Sequence, residues 1–346
     1  MNFQIAALLT QDGLTNGAIY ALLALALVLV FAVTRVVFVP QGEFVAFGAL
    51  SLASLQNGVA PRTIWLIVAL AVVATVLEAV ALTRRGASAK DHMRAVALWL
   101  ALPVAIAATL YFLAPLKLAL PWQIALAVLS VTALGPLVYR IAIQPVAQGS
   151  VLVLLIVAVA IHFVLSGLGL LFFGAEGSRT PPFTDAMFQL GDVNITGQSL
   201  WVYGVSAAAI GVLYWAFTKT LYGKSLMATA FNRVGARLVG ISPNFAGALT
   251  LTLAAMLGAF SGVLIGPITT VYYDSGFLVG LKGFVGAILG GLVSYPLAAA
   301  GAILIGFVES FASFWASQYK EVIVFTLVIP VLLWRSLRTH HTEEDQ

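Results

Sequence analysis

Residues 14–34 read LTNGAIYALLALALVLVFAVT, a run with no charged side chain. As a helix rising about 1.5 Å per residue it extends about 31 Å, the thickness of a bilayer's hydrocarbon core. Hydrocarbon offers the backbone no hydrogen-bond partners, so such a run must be helical to satisfy its own N–H and C=O groups. Comparable runs cover 62–83, 95–114, 121–139, 151–173, 199–219, 246–271, 297–317 and 321–337. Two shorter, glycine-rich segments, 41–57 and 281–294, read as tilted, broken or re-entrant helices, which are tolerated only where protein or a water-filled cavity surrounds them. The expected fold class is all-α: a polytopic integral membrane protein of about 9–11 transmembrane segments, short or broken helices included. A single transmembrane domain is expected over 1–346.

Composition agrees. Of the 346 residues, 61% are apolar and 9% charged, with mean hydropathy +1.04; soluble domains carry about 25% charged residues. The net charge of +4 is modest, and the basic residues are scattered among membrane-flanking loops, which excludes a nucleic-acid footprint. Without cysteine there is neither a disulfide nor a thiolate metal site. Met1-Asn2-Phe3-Gln4 lacks the basic start of a signal peptide, so the first apolar run is expected to be a retained helix.

Basic residues set the orientation. If all eleven segments cross, one side holds Arg35, Arg84, Arg85, Lys90, Arg94, Arg140, Lys219, Lys224, Arg233, Arg237, Arg335 and Arg338. The other holds Arg62, Lys117, Arg179, Lys282 and Lys320. The richer side is expected to be cytoplasmic, with the N-terminus outside and the C-terminus inside. The longest outer loop, 174–198, carries Glu176, Arg179, Asp185, Asp192 and Pro181-Pro182; it reads as a face for an extracytoplasmic partner or as a solvated connector.

No enzyme signature is present. His92, His162, His340 and His341 form no H-E-x-x-H pattern, and no metal is expected. Gly223-Lys224-Ser225 resembles the end of a phosphate-binding loop, but position 218 is Thr where that motif needs Gly. Charge within a membrane is a functional signal by default. Glu43, Glu309 and His162 fall inside apolar segments and are candidates for a substrate path or for interhelical hydrogen bonds. Glu78, near the end of its run, reads as structural. Asn16, Gly17 and Tyr20 share one helix face, as packing or as a substrate-facing stripe. Gly258, Gly262 and Gly266 form overlapping G-x-x-x-G repeats, a signature of close helix contact. Gly290-Gly291 before Pro296 marks a break that could expose backbone polar groups.

Four stretches carry a family likeness: Gly13-Leu14-Thr15-Asn16-Gly17-Ala18-Ile19-Tyr20-Ala21-Leu22, Gln41-Gly42-Glu43, the segment from Ala228-Thr229-Ala230 to Gly240-Ile241, and the segment from Gly280-Leu281-Lys282-Gly283-Phe284 to Pro296 with Glu309. Together they make the chain resemble the membrane permeases of bacterial ABC importers for branched-chain amino acids, a family that extends to urea and amide permeases. The resemblance implies an inner-membrane, multi-pass transport subunit with no cofactor. It implies a homologous second permease, two ATP-binding subunits and a periplasmic substrate-binding protein as partners, besides membrane lipid and a small-molecule solute. It also implies a cytoplasmic coupling loop at 220–245, for which Lys224, Ala228, Arg233, Arg237, Leu238 and Gly240 are the candidate contacts. An interfacial helix lying on lipid is the alternative for that loop. The substrate-pathway candidates are Asn16, Tyr20, Gln41, Glu43, His162 and Glu309.

The sequence departs from the family pattern in places. Gln41 replaces the usual His, and Asn232, Val234 and Gly235 stand where Asp, Glu and Ala are common. Segment 84–138 reads as a two-span insertion. The function expected is translocation of branched-chain or similar small hydrophobic amino acids, driven by partner ATPases. Urea, short amides and aromatic or organic acids are alternative solutes. A stand-alone secondary transporter or channel is the competing class; by sequence only Glu309 and His162 lie deep in the spans, which is thin for a proton relay.

Overall fold

Small residues decide which helices meet. The computed structural model describes residues 3–190, 193–333 and 337. Met1, Asn2, Asp192, Arg335, Arg338, His340 and His341 lie outside the described residues. Helix α1 (Phe3–Thr34) is followed by a short α2 (Gln41–Gln56), then α3 (Thr63–Arg84), α4 (Ala89–Leu116), α5 (Leu120–Val146) and α6 (Val151–Phe173). An antiparallel hairpin, β1 (Met187–Leu190) and β2 (Val193–Thr196), leads into α7 (Gly197–Lys219). Two short helices, α8 (Leu221–Phe231) and α9 (Arg233–Leu238), precede α10 (Pro243–Ile265). The chain ends in α11 (Ser275–Leu289), α12 (Tyr295–Trp315) and α13 (Lys320–Thr326).

Among the described residues, eight helices are long and apolar enough to cross a membrane. Helix α1 is the central one: 89% of its most apolar window is buried, against 22% for α6. It packs on α12, α10 and α11. The approach to α12 requires Gly17, where a Cβ would stand 2.7 Å from the Ile303 Cα. The expected glycine stripe works the same way between α10 and α2: a Cβ on Gly262 would come within 2.9 Å of the Ala49 nitrogen.

Some boundaries differ from those expected. Helix α1 starts eleven residues before position 14 because the polar turn around Gln11 and Asp12 continues the helix past the apolar run. The expected span 321–337 breaks after Thr326. Pro330 has no N–H, and its ring collides with the carbonyl four residues back, at Thr326. Helical residues resume at 328–333.

The segment expected as an insertion is two unlike helices. Helix α4 packs mainly on α3, whereas α5 packs on both α2 and α10, with Ala127, Val131 and Leu134 fully buried. Its second half is thus part of the core.

Two residues counted as loop charges are neither in loops nor free. Arg140 lies within α5 and meets Glu78 of α3 at 2.6 Å, so Glu78 is an interhelical ion-pair partner. Lys282 lies in the middle of α11 and is buried. Helices buried on all sides carry no sequence periodicity that would have revealed either position.

Helices α2 and α11, of 16 and 15 residues, are shorter than a bilayer-spanning helix. Helix α2 is about 24 Å long by its residue count. It begins where the Gln41 amide donates 2.9 Å to the carbonyl of Ala254, midway along α10. Gly42 abuts Gly276 at the start of α11. The N-termini of two helices therefore meet inside the bundle, surrounded by protein, as irregular backbone at membrane depth must be.

Candidate functional site

The ends of the molecule are joined by α7, whose first residue follows the hairpin and whose last precedes α8. At the hairpin end lies a cleft of about 1040 Å³, lined by Asp12 and Asn16 of α1, Thr180 of the loop before the hairpin, Glu309 and Ser310 of α12, and Lys320 of α13. Loop 174–186 forms its rim. Ser178 pairs backbone to backbone with Val271, and the Arg179 guanidinium donates to the carbonyls of Pro267 and Ile268.

Glu309 stands at the floor, 10% exposed. The Tyr20 hydroxyl donates 2.7 Å to one of its oxygens, and the Lys282 ammonium donates 2.5 Å to the other. Lys282 also meets Glu321 at 3.2 Å and sits 5.9 Å from the centre of the Tyr20 ring. One lysine thus joins α11, α12 and α13 through two carboxylates, and a tyrosine of α1 completes the set. Burying such charges is tolerable only because each is paired and hydrogen-bonded. Of the stripe expected on α1, Asn16 reaches the cleft, while Tyr20 lies beneath it and Gly17 packs on α12.

Glu43 and His162 do not join this group. They pair with each other at 2.8 Å through His162 Nδ1, between the first turn of α2 and the middle of α6. The Phe277 ring lies 4.6 Å from the imidazole. Gln41 Oε1 and Glu43 Oε2 are buried without a protein partner. The candidates for a substrate path thus separate into two places, the cleft floor and the α2–α11 junction.

At the opposite end, α8 and α9 project apolar side chains. Phe231 is 95% exposed and Leu238 83%, and Val234 and Val239 are also exposed. Arg233 faces inward instead. Its guanidinium donates to the Val33 carbonyl at 2.7 and 3.1 Å and to the Ala147 carbonyl at 3.4 Å. Val33 belongs to the last turn of α1, whose carbonyls have no helical donor, and a cation there also opposes the negative end of the helix dipole. Burial lowers the Arg233 pKa from the ordinary arginine value, with the Arg35 charge acting in the same direction. Arg35 reciprocates by donating 3.4 Å to the Ala230 carbonyl of α8.

Ala236 is buried, Ala228 half-buried, and Lys224, Arg237 and Gly240 exposed. Asn232, a departure from the family pattern, caps α9 by accepting the Gly235 N–H at 2.9 Å. Asn caps as well as Asp does, so the exchange keeps the helix start while removing a charge.

Sequence reasoning missed Lys282 and Glu321 as members of the charged group. A lysine in the apolar run 276–289 was the available signal. It also counted too few deep charges: Glu43 and Lys282 join Glu309 and His162 in buried pairs, with the half-buried Glu321 beside them.

Comparison with known proteins identifies the family. Residues 9–332 match the family described as the permease component of branched-chain amino acid transport systems. The high-affinity branched-chain amino acid transport system permease protein BraD of Pseudomonas aeruginosa is 30% identical over 218 residues, covering 61% of this chain and 71% of that protein. LivH of Escherichia coli K12, a permease protein of the same kind of system, is 30% identical over 214 residues, covering 60% and 70%. LivH of Salmonella typhimurium gives the same figures. No solved structure matches. The chain belongs to this permease family and is a multi-pass membrane transport subunit.

Proposed function

We propose that this chain is one of two related membrane subunits of an ATP-driven importer of branched-chain or similar small apolar amino acids. ATP hydrolysis would reside in separate subunits docked on the α8–α9 segment, the proposed coupling element at 220–245. A substrate-binding protein would deliver the solute to the hairpin end, here taken as the outer face, with the C-terminus cytoplasmic. Asn16 and Glu309 line the proposed entry cleft. Gln41, Glu43 and His162 are proposed to hold the mid-depth junction through which the path changes state.

The observation that carries this reading is the pair of short helices α8 and α9, exposed and apolar on one side and fastened on the other to the end of α1. A segment so built can receive a push from a partner and pass it to the buried central helix. Phe231 and Leu238 supply the outward contact, with Lys224 and Arg237 beside them; Arg233 and Ala236 serve the inward one. An interfacial helix resting on lipid would also expose apolar side chains, but it would need no clamp to α1.

The test is reconstitution with the cognate ATPases and binding protein. ATP-dependent leucine uptake is expected. Leu238→Glu, which leaves the clamp intact, should lose ATPase association and uptake together. Normal assembly and transport by that variant would remove the coupling assignment.

A further inference from the structure

The chemistry of the cleft points to what it holds. Resting on the importer reading above, we infer that the Glu309 carboxylate receives the ammonium group of the solute and that Lys320 faces the solute's carboxylate. Four carboxylates, Asp12, Asp185, Glu309 and Glu321, stand at the cleft and its floor against three cations, Arg179, Lys282 and Lys320. Lys282 is already shared between two of the carboxylates, so the floor retains an excess of negative charge.

The hydrogen-bonding inventory points the same way. Among the described residues, two buried acceptors around this site have no partner, Gln11 Oε1 and Glu321 Oε2, beside the unpartnered Thr180 hydroxyl, which can donate or accept. Gln11 and Thr180 line the cleft. A site with surplus acceptors calls for a ligand rich in donors, and an ammonium brings three with no acceptor of its own. Arg179 and Lys320 both line the cleft without a salt bridge among the described residues; the Arg179 guanidinium is turned to the Pro267 and Ile268 carbonyls, which leaves the Lys320 ammonium for an anionic end. Leu9, Ile268 and Phe314 offer apolar wall for a hydrocarbon side chain. A zwitterion with an apolar tail fits this set; an inorganic anion or a simple carboxylate would meet the acidic floor with its wrong end.

The experiment uses the permease–ATPase complex in lipid nanodiscs without the binding protein, so that cargo selection by that protein does not enter. Calorimetric titration compares L-leucine, 3-methylbutylamine and 4-methylpentanoate. Leucine and the amine should bind, and the acid should not. Glu309→Gln keeps the Tyr20 hydrogen bond and should weaken leucine and the amine by about tenfold or more. Lys320→Ala should weaken leucine and leave the amine unchanged. Binding of the acid as tightly as leucine, binding of none of the three, or an unchanged affinity in Glu309→Gln overturns the inference. The wild-type preference among the three ligands decides the matter even if a variant fails to assemble. ATP-driven leucine uptake that persists beside any of those results leaves the importer reading standing while removing this one.

Discussion

Lys282 should matter more to stability than either carboxylate it serves. Its ammonium meets Glu309 at 2.5 Å and Glu321 at 3.2 Å, with 7% of its side chain exposed. Lys282→Met removes the shared cation and leaves two carboxylates facing each other across its former place. Removing one partner of a buried ion pair costs about 3–5 kcal/mol. Glu309→Gln is milder, because Lys282 keeps Glu321 and the amide oxygen can still accept from Tyr20. That loss should be about 1–3 kcal/mol, the range for a buried group that loses one hydrogen-bond partner, since the amide nitrogen cannot accept from Lys282.

The double variant Lys282→Met with Glu309→Gln is the informative one. It leaves only Glu321, 35% exposed and able to reach solvent, so it should be more stable than Lys282→Met alone. The effects of neighbours sharing one network do not add. The assay is thermal stability of the detergent-solubilised protein by fluorescence-detected size exclusion. A Lys282→Met melt no lower than that of Glu309→Gln, or a double variant no better than Lys282→Met, would refute the assignment of Lys282 as a cation shared by two carboxylates.

Arg233→Ala removes three hydrogen bonds from half-buried guanidinium to backbone. It should loosen the α8–α9 segment by about 2 kcal/mol, read as faster hydrogen exchange at 221–239 and as ATP hydrolysis uncoupled from uptake, with Lys a poor replacement because it lacks the fork. Gly262→Ala should destabilise by about 1–3 kcal/mol, because its Cβ would run into the backbone of Val45 and Ala49. Gly211→Ala, in a helix interior with nothing within 4 Å, should melt at or slightly above the wild type; equal melting of the two variants would remove the close α2–α10 contact.

The membrane architecture was legible because its signal is local. A run such as 14–34 declares its span by its own composition, and the glycines at 258, 262 and 266 declare a close contact without naming the partner. What stayed illegible is relational. Tyr20 and Glu309 are 289 positions apart and share a hydrogen bond; Glu43 and His162 are 119 apart. Each looks solitary in sequence, and a solitary buried charge invites a functional reading that its partner then divides between structure and function. Lys282 was misplaced for a related reason: counting it as a loop charge served the orientation rule, whereas its burial depends on α12 and α13 supplying carboxylates. Arg233 shows the converse. Its position in a polar, basic segment suggested an outward contact, and only the uncapped end of α1 explains why it turns inward.

Helix α1 is the element on which both ends depend. Asn16 reaches the cleft and Tyr20 holds Glu309 at its floor, while Val33, less than twenty residues on, accepts Arg233 from the proposed coupling segment. A helix between those points is about 20 Å long and, buried in close-packed surroundings, resists bending because its neighbours leave no free volume. A displacement applied at Phe231 and Leu238 is therefore expected to reach the cleft as a shift of α1 against α12, across the contact made at Gly17. At Gly17 that contact is backbone against backbone, and one turn further on the Tyr20–Glu309 hydrogen bond crosses the same interface, so any shift of α1 there is felt directly by the carboxylate at the cleft floor.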